Sequence, residues 1–157
     1  MASPITPEAT EELLRRHKIT PPSNKHGEAG RLEGGYEIAI GGHRREDGRK
    51  MVTVTIGNIS ESRPCPFQDG EARDIVRRFC DQHNLPKRPA LDRMLEHLLN
   101  RADQLYASDR IESFALEKIQ LHSSGYRIGS AQILATKPLK VPRANPRLGR
   151  NREGLNI

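Results

Sequence analysis

The chain has 157 residues, an apolar fraction of 34%, no tryptophan and a formal net charge of +6. That is room for one domain with a modest core, and part of the chain should lie outside it. No apolar run approaches the ~20 residues that cross a bilayer, and the prolines and glutamate of Met1 to Thr10 do not make a signal peptide. Two cysteines, Cys65 and Cys80, are too few for a secreted disulfide framework, so a reducing, cytoplasmic-type compartment is expected.

The first element is a helix. Thr6 is a good N-cap, Pro7 suits the first helical position, and Glu8, Glu11 and Glu12 favour the positive end while Arg15, Arg16 and Lys18 sit near the negative one. Its stripe of Ile5, Leu13, Leu14 and Ile19 is too small to fold alone, so the helix should dock on the core or on a partner. Pro21 and Pro22 end it, and Gly27 to Gly35 reads as a linker.

Period-two alternation of Tyr36, Ile38 and Ile40 predicts a strand, broken at Gly41-Gly42. His43 to Lys50 is a polar excursion turning at Asp47-Gly48. Met51 to Ile56, rich in β-branched residues, predicts a second strand, with Gly57-Asn58 as a hairpin turn. Glu61 to Phe67 predicts a return strand that Pro64 and Pro66 confine to an edge.

A helix starting at Asp69 or Gly70 carries Ala72, Ile75, Val76, Phe79 and Cys80 on one face, and Asn84 and Pro86 close it. Pro89 opens another, with Leu91, Met94, Leu95, Leu98, Leu99, Ala102 and Leu105 on its stripe. The short connection predicts that the two pack as antiparallel neighbours on the sheet. The spacing of Ile111, Phe114, Ala115 and Ile119 after Ser108 predicts a third helix, interrupted at Gly125, with a short strand from Tyr126 to Leu134.

The division is thus a helix and linker over 1–35, an α+β core over 36–134, and a basic extended tail over 135–157. In the core a small β-hairpin sheet packs on a helical hairpin. Lys137, Lys140, Arg143, Arg147, Arg150 and Arg152 alternate in the tail with prolines and a glycine, and only Glu153 opposes them. The tail carries +5 of the formal +6. A segment of that composition cannot bury a core and should be extended when unbound.

No site chemistry emerges from the spacings. Gly42 to Lys50 departs from a phosphate loop, with Arg49 in the lysine position and no Ser or Thr after it. Cys80 and His83 have a metal-compatible spacing, yet no second pair stands near them, and a buried core cysteine is the plainer account. The six histidines, His17, His26, His43, His83, His97 and His122, form no nucleophile–base pattern. Neither an enzyme nor a cofactor or metal is expected.

Phe79-Cys80-Asp81-Gln82-His83-Asn84-Leu85-Pro86, after a β-hairpin and before the Leu91 to Leu99 helix, resembles the PFU domain, a ubiquitin-binding module. The resemblance spans roughly residues 51 to 100. The Ile56-Gly57 turn and the Asp69-Gly70 helix start are also similar to small domains of flagellar and basal-body proteins. Both resemblances imply a ubiquitin-like or related fold and a role in interaction.

The function expected is a non-enzymatic scaffold, microtubule- or cilium-associated, that binds an acidic protein surface through the six tail cations. A ubiquitin-binding adaptor is one alternative. The other is a nucleic-acid-binding protein, although no aromatic residue falls between Lys137 and Arg152 to stack on bases.

Overall fold

The computed structural model describes residues 2–22, 36–83, 89–122 and 125–136. Over these residues the chain is α+β, with one antiparallel sheet and three helices. The elements are β1 (Ser3–Pro4), α1 (Pro7–Arg16), β2 (Tyr36–Arg44), β3 (Lys50–Ile56), β4 (Ile59–Pro64), α2 (Glu71–His83), α3 (Pro89–Tyr106), β5 (Ile111–His122) and β6 (Gly125–Ala135). The six strands lie in the order β1-β6-β5-β2-β3-β4. The expected small hairpin sheet is therefore only one side of a larger one.

Helix α1 starts as its sequence dictates, with Thr6 Oγ1 accepting from Ala9 N at 3.1 Å. It ends in a Schellman arrangement, in which Lys18 N donates to Arg15 O and Ile19 N to Leu14 O. Lys18 takes the left-handed position, at φ 60°, that glycine usually fills. This turn folds Ile19 back beside Leu14, and both are fully buried in the common core. Of the two docking options left by the sequence, the helix takes its own core.

Strand β2 does not break at Gly41-Gly42 but runs on to Arg44, paired with β3 and β5. The glycines serve packing there. A Cβ on Gly42 would lie 2.5 Å from Phe114 Cε1 and 2.7 Å from Tyr106 Cδ2, so the two rings fill the space a side chain would take. The turns at Gly48 and Gly57 stand where expected, and β4 is an edge strand, as expected from Pro64; it ends there, short of Pro66 and the expected end at Phe67.

The expected third helix is a strand, β5. Its inward residues are Ile111, Phe114, Leu116, Ile119 and Leu121, all buried. They step by three, two, three and two because the register slips between Ile111 and Ser113, and again where Ile38 to Ile40 of β2 faces Leu116 to Ile119. Such spacing imitates a helical face. The second slip is centred on Lys118, at φ 54°, and β6 answers it with Gly129, whose missing Cβ would lie 2.6 Å from Lys118 Cβ. The strand predicted over Tyr126 to Leu134 is present as β6.

The core lies between one face of the sheet and the helices. Val52, Val54, Ile38 and Ile40 meet Ile75, Phe79, Leu95, Leu98 and Leu99 there. Edge strand β4 adds charge to the apolar packing of Ile59 where it closes against α2. Arg63 reaches Glu61 at 3.3 Å, Asp74 at 3.2 Å and Glu71 at 3.5 Å, all from a mostly buried position. Inward-facing charge on an outer strand also discourages pairing with another chain.

Candidate interaction surface

The six tail residues singled out from the sequence, Lys137, Lys140, Arg143, Arg147, Arg150 and Arg152, lie outside the described residues, as does the linker expected over Gly27 to Gly35. The structure defines instead where the chain arrives at them. After β6, Thr136 N donates to Arg110 O at 2.9 Å, which holds the root of the tail against the turn between α3 and β5.

The tip of the β2–β3 hairpin comes to the same turn. Lys50 Nζ donates to Tyr106 O and Ser108 O, each at 2.7 Å, and lies 4.4 Å from the Tyr106 ring centre. An ammonium on the last carbonyls of α3 complements the negative helix end. Burial lowers the Lys50 pKa, and Arg44 nearby lowers it further. Arg44 Nε contacts both carboxylate oxygens of Glu112 at 3.0 and 3.1 Å, and its Nη1 donates to Gly48 O. Tyr106 Oη donates to Glu112 O at 2.7 Å.

At the tip itself the backbone is closed by Arg45 N to Arg49 O and Gly48 N to Arg45 O. Asp47 Oδ1 accepts from Arg49 N, and that bond is the first cause of its lowered pKa. The side chains of Arg45, Arg49 and Arg110 are exposed, and none of their hydrogen-bond roles in this turn involves the guanidinium. One end of the sheet thus presents three exposed arginines interspersed with three exposed acids, Glu46, Asp47 and Asp109, beside Thr136.

The cysteines do different work. Cys65 Sγ donates to Asp103 O at 3.5 Å, and burial, with Asp103 beside it, pushes the thiol pKa up to about 12. A thiol held that far from ionisation is a poor nucleophile. Cys80 is buried, with its Sγ 3.9 Å from Asp92 Oδ1. The His83 side chain, its suggested metal partner, lies outside the described residues, and no group of three metal-ligating side chains occurs among those described. Asp103 is buried and both its carboxylate oxygens accept from Phe67 N, at 3.0 and 3.1 Å. Desolvation nevertheless raises its pKa.

A second surface went unread in the sequence. The sheet face away from α2 and α3 bears small side chains at its centre, and a shallow hollow of about 330 Å³ lies over Ala39, Gly41, Thr53, Thr55, Ala115 and Glu117. Thr53 and Thr55 are tied sideways to Ser62 and Ser60 on β4, at 2.6 and 2.9 Å. The alternation of threonine with valine in β3 was the signal for this face. The mistaken helix over β5 hid its other half.

No family model matches the chain, and no curated protein sequence does. Solved structures do share its fold. PH1788 from Pyrococcus horikoshii Ot3 superposes with a TM-score of 0.56 at 19% identity, over 68% of this chain and 51% of that one. The dinucleotide-forming acetyl-coenzyme A synthetase 1 of Ca. Korarchaeum cryptofilum, solved with coenzyme A and Mg-AMPPCP, gives 0.54 at 17%, over 66% and 55%. Its apo form gives 0.55 at 16%, over 68% and 56%. The chain spans about half the length of these proteins. At such identities the likeness is one of fold. Among the described residues no helix is long and apolar enough to cross a membrane.

Proposed function

We propose that the chain is a non-enzymatic interaction protein that binds a carboxylate-rich protein surface through its cationic C-terminal segment. The observation that carries this reading is the segregation of charge: Lys137 to Arg152 hold six cations and no acid, while residues 1–136 together have a net charge of +1. Separating charge in this way concentrates attraction on one segment and leaves the rest of the chain near neutral. A cytoskeletal lattice such as the microtubule is one surface of that chemistry.

Co-sedimentation with microtubules, and titration of labelled poly-L-glutamate, test it on the full chain and on a full-length variant with the six cations changed to Gln. Loss of binding in the variant, and weakening of the parent at high salt, are expected. Equal binding by both proteins overturns the reading. Ubiquitin recognition, with a ubiquitin-like relationship of fold, is a further proposal resting on the Phe79 to Pro86 resemblance. It predicts that the Gln variant still binds ubiquitin.

The hollow over Gly41 and Ala115 favours a second reading, a ligand-binding part of a larger assembly. The fold is similar to that of chains solved with coenzyme A and with an adenine nucleotide analogue. Calorimetric titration with coenzyme A and with AMPPCP tests it. Heat of binding that disappears in Ala115→Leu, which fills the hollow, supports this reading; no heat with either compound refutes it.

A further inference from the structure

The connection from β4 to α2 is held by two carboxylates on neighbouring amides. Asp103 of α3 receives Phe67 N on both its oxygens, at 3.0 and 3.1 Å, and Glu71 of α2 receives Gln68 N on Oε1 at 2.8 Å. Asp103 is buried, whereas the other oxygen of Glu71 meets Arg63 of β4 at 3.5 Å. We propose that this connection is a proton-operated clamp, in which Asp103 is the group that takes the proton and Glu71 sets how readily it does so. Neither the tail nor the hollow on the open sheet face takes part in it.

The geometry puts the proton on Asp103. One backbone N–H serves both of its oxygens, and it lies in the last turn of α3, where the helix end disfavours a negative charge. The cations of this region are committed elsewhere, Arg63 to Glu61, Glu71 and Asp74, and Lys50 to Tyr106 O and Ser108 O. The titratable groups that face Asp103 are the Cys65 thiol of the connection and the Glu71 carboxylate of α2. A desolvated carboxylate beside a second negative charge favours its neutral form. Desolvation accordingly raises the Asp103 pKa most, the bonds with Phe67 N and Cys65 draw it down, and the Glu71 charge raises it again. With the folded value above the ordinary 3.8, proton uptake tightens the clamp. That added stability is complete below 3.8 and is lost as pH rises through the folded value. Arg63 lies on Glu71, so the charge pattern of the edge strand reaches buried Asp103 through one carboxylate.

The test is an NMR titration of the full chain that follows the Phe67 amide, whose proton shift reports the charge on Asp103 and whose exchange reports opening of the clamp. Parent, Glu71→Gln and Asp103→Asn proteins are compared. In the parent the shift should turn over above 3.8. Protection of the amide, corrected for intrinsic exchange, should rise as pH falls, by up to about tenfold per pH unit for one proton. Glu71→Gln keeps an acceptor for Gln68 N and should lower the proton affinity of Asp103 about two- to tenfold, the effect of removing one nearby like charge. Asp103→Asn should abolish the titration of the amide. A parent midpoint at or below 3.8, or protection that falls on acidification, overturns the clamp. A midpoint unchanged in Glu71→Gln overturns the role of Glu71, and a titration that survives in Asp103→Asn assigns the proton to another group. Should the asparagine protein not fold, the parent and Glu71→Gln titrations still decide.

Discussion

Substituting Gly42 by alanine tests the packing that fixes this end of the sheet. The new methyl carbon would sit 2.5 Å from Phe114 Cε1, 2.7 Å from Phe114 Cδ1 and 2.7 Å from Tyr106 Cδ2. Neither ring can move cheaply. They pack edge to face at 5.2 Å, Tyr106 is fully buried, and its hydroxyl is engaged by Glu112 O while Lys50 lies against its ring. Overpacking costs about 1–3 kcal/mol, and disturbing the tyrosine hydrogen bond adds about 1 kcal/mol. Alanine's advantage over glycine in a strand returns only about 0.5–1 kcal/mol. A net loss of about 1–3.5 kcal/mol is expected, which at a urea m-value of about 2 kcal/mol/M lowers the unfolding midpoint by roughly 0.5–1.7 M. Urea titrations of Gly42→Ala, Phe114→Leu and the double variant are the assay. The smaller leucine should accept the methyl group, so the double variant should be more stable than the sum of the two single effects. A Gly42→Ala protein as stable as its parent would refute the packing argument.

Lys18→Gly should raise stability by about 0.5–1 kcal/mol, because a lysine pays for the left-handed φ that glycine adopts freely. By thermal melting that is about 1–4 °C for a chain of this size; a lower melting temperature would contradict the assignment of Lys18 to the helix end. For Asp103, the raised pKa means that the folded state favours the protonated carboxyl. Its contribution to stability is therefore fully present below the ordinary value of 3.8 and is lost as pH rises through the higher folded value. Asp103→Asn keeps an acceptor for Phe67 N without the buried charge, so it should match or exceed the parent at neutral pH. Asp103→Ala should lose about 1–3 kcal/mol by leaving that donor unpaired. Urea midpoints measured across pH check both, and an asparagine variant as weak as the alanine one would show that the charge itself is required.

What the sequence made legible was local. Thr6 and Pro7 announced α1, the Val–Thr alternation announced β3, and the apolar stripes placed α2 and α3, because caps and periodicity act over a few residues. The errors came from contacts between distant segments. Gly41-Gly42 looked like a break, since the rings that fill their space come from residues 106 and 114. Strand β5 looked helical because two register slips reset its alternation, and those slips exist only against β2 and β6. The six tail cations were visible from composition alone. The place of Arg45, Arg49 and Arg110 beside Thr136 was not, because only the fold brings the hairpin tip to the start of the tail.

The pairing of β1 with β6 has a consequence for how the protein is made. Ser3 lies opposite Ala135 and Pro4 opposite Leu134, so the first strand has no partner until the last one has left the ribosome. Leu14 and Ile19, drawn into the core beside residues from α3, β5 and β6, share that wait. The growing chain must keep the apolar face of α1 waiting until β5 and β6 have been made, and closure of β1 on β6 is slow because the pairing is so distant in sequence. A nascent chain stalled before β6 should therefore be the form most dependent on chaperones. The same pairing sets Ser3 beside Ala135 at one edge of the sheet, so the strand that comes first among the described residues lies next to the root of the cationic segment.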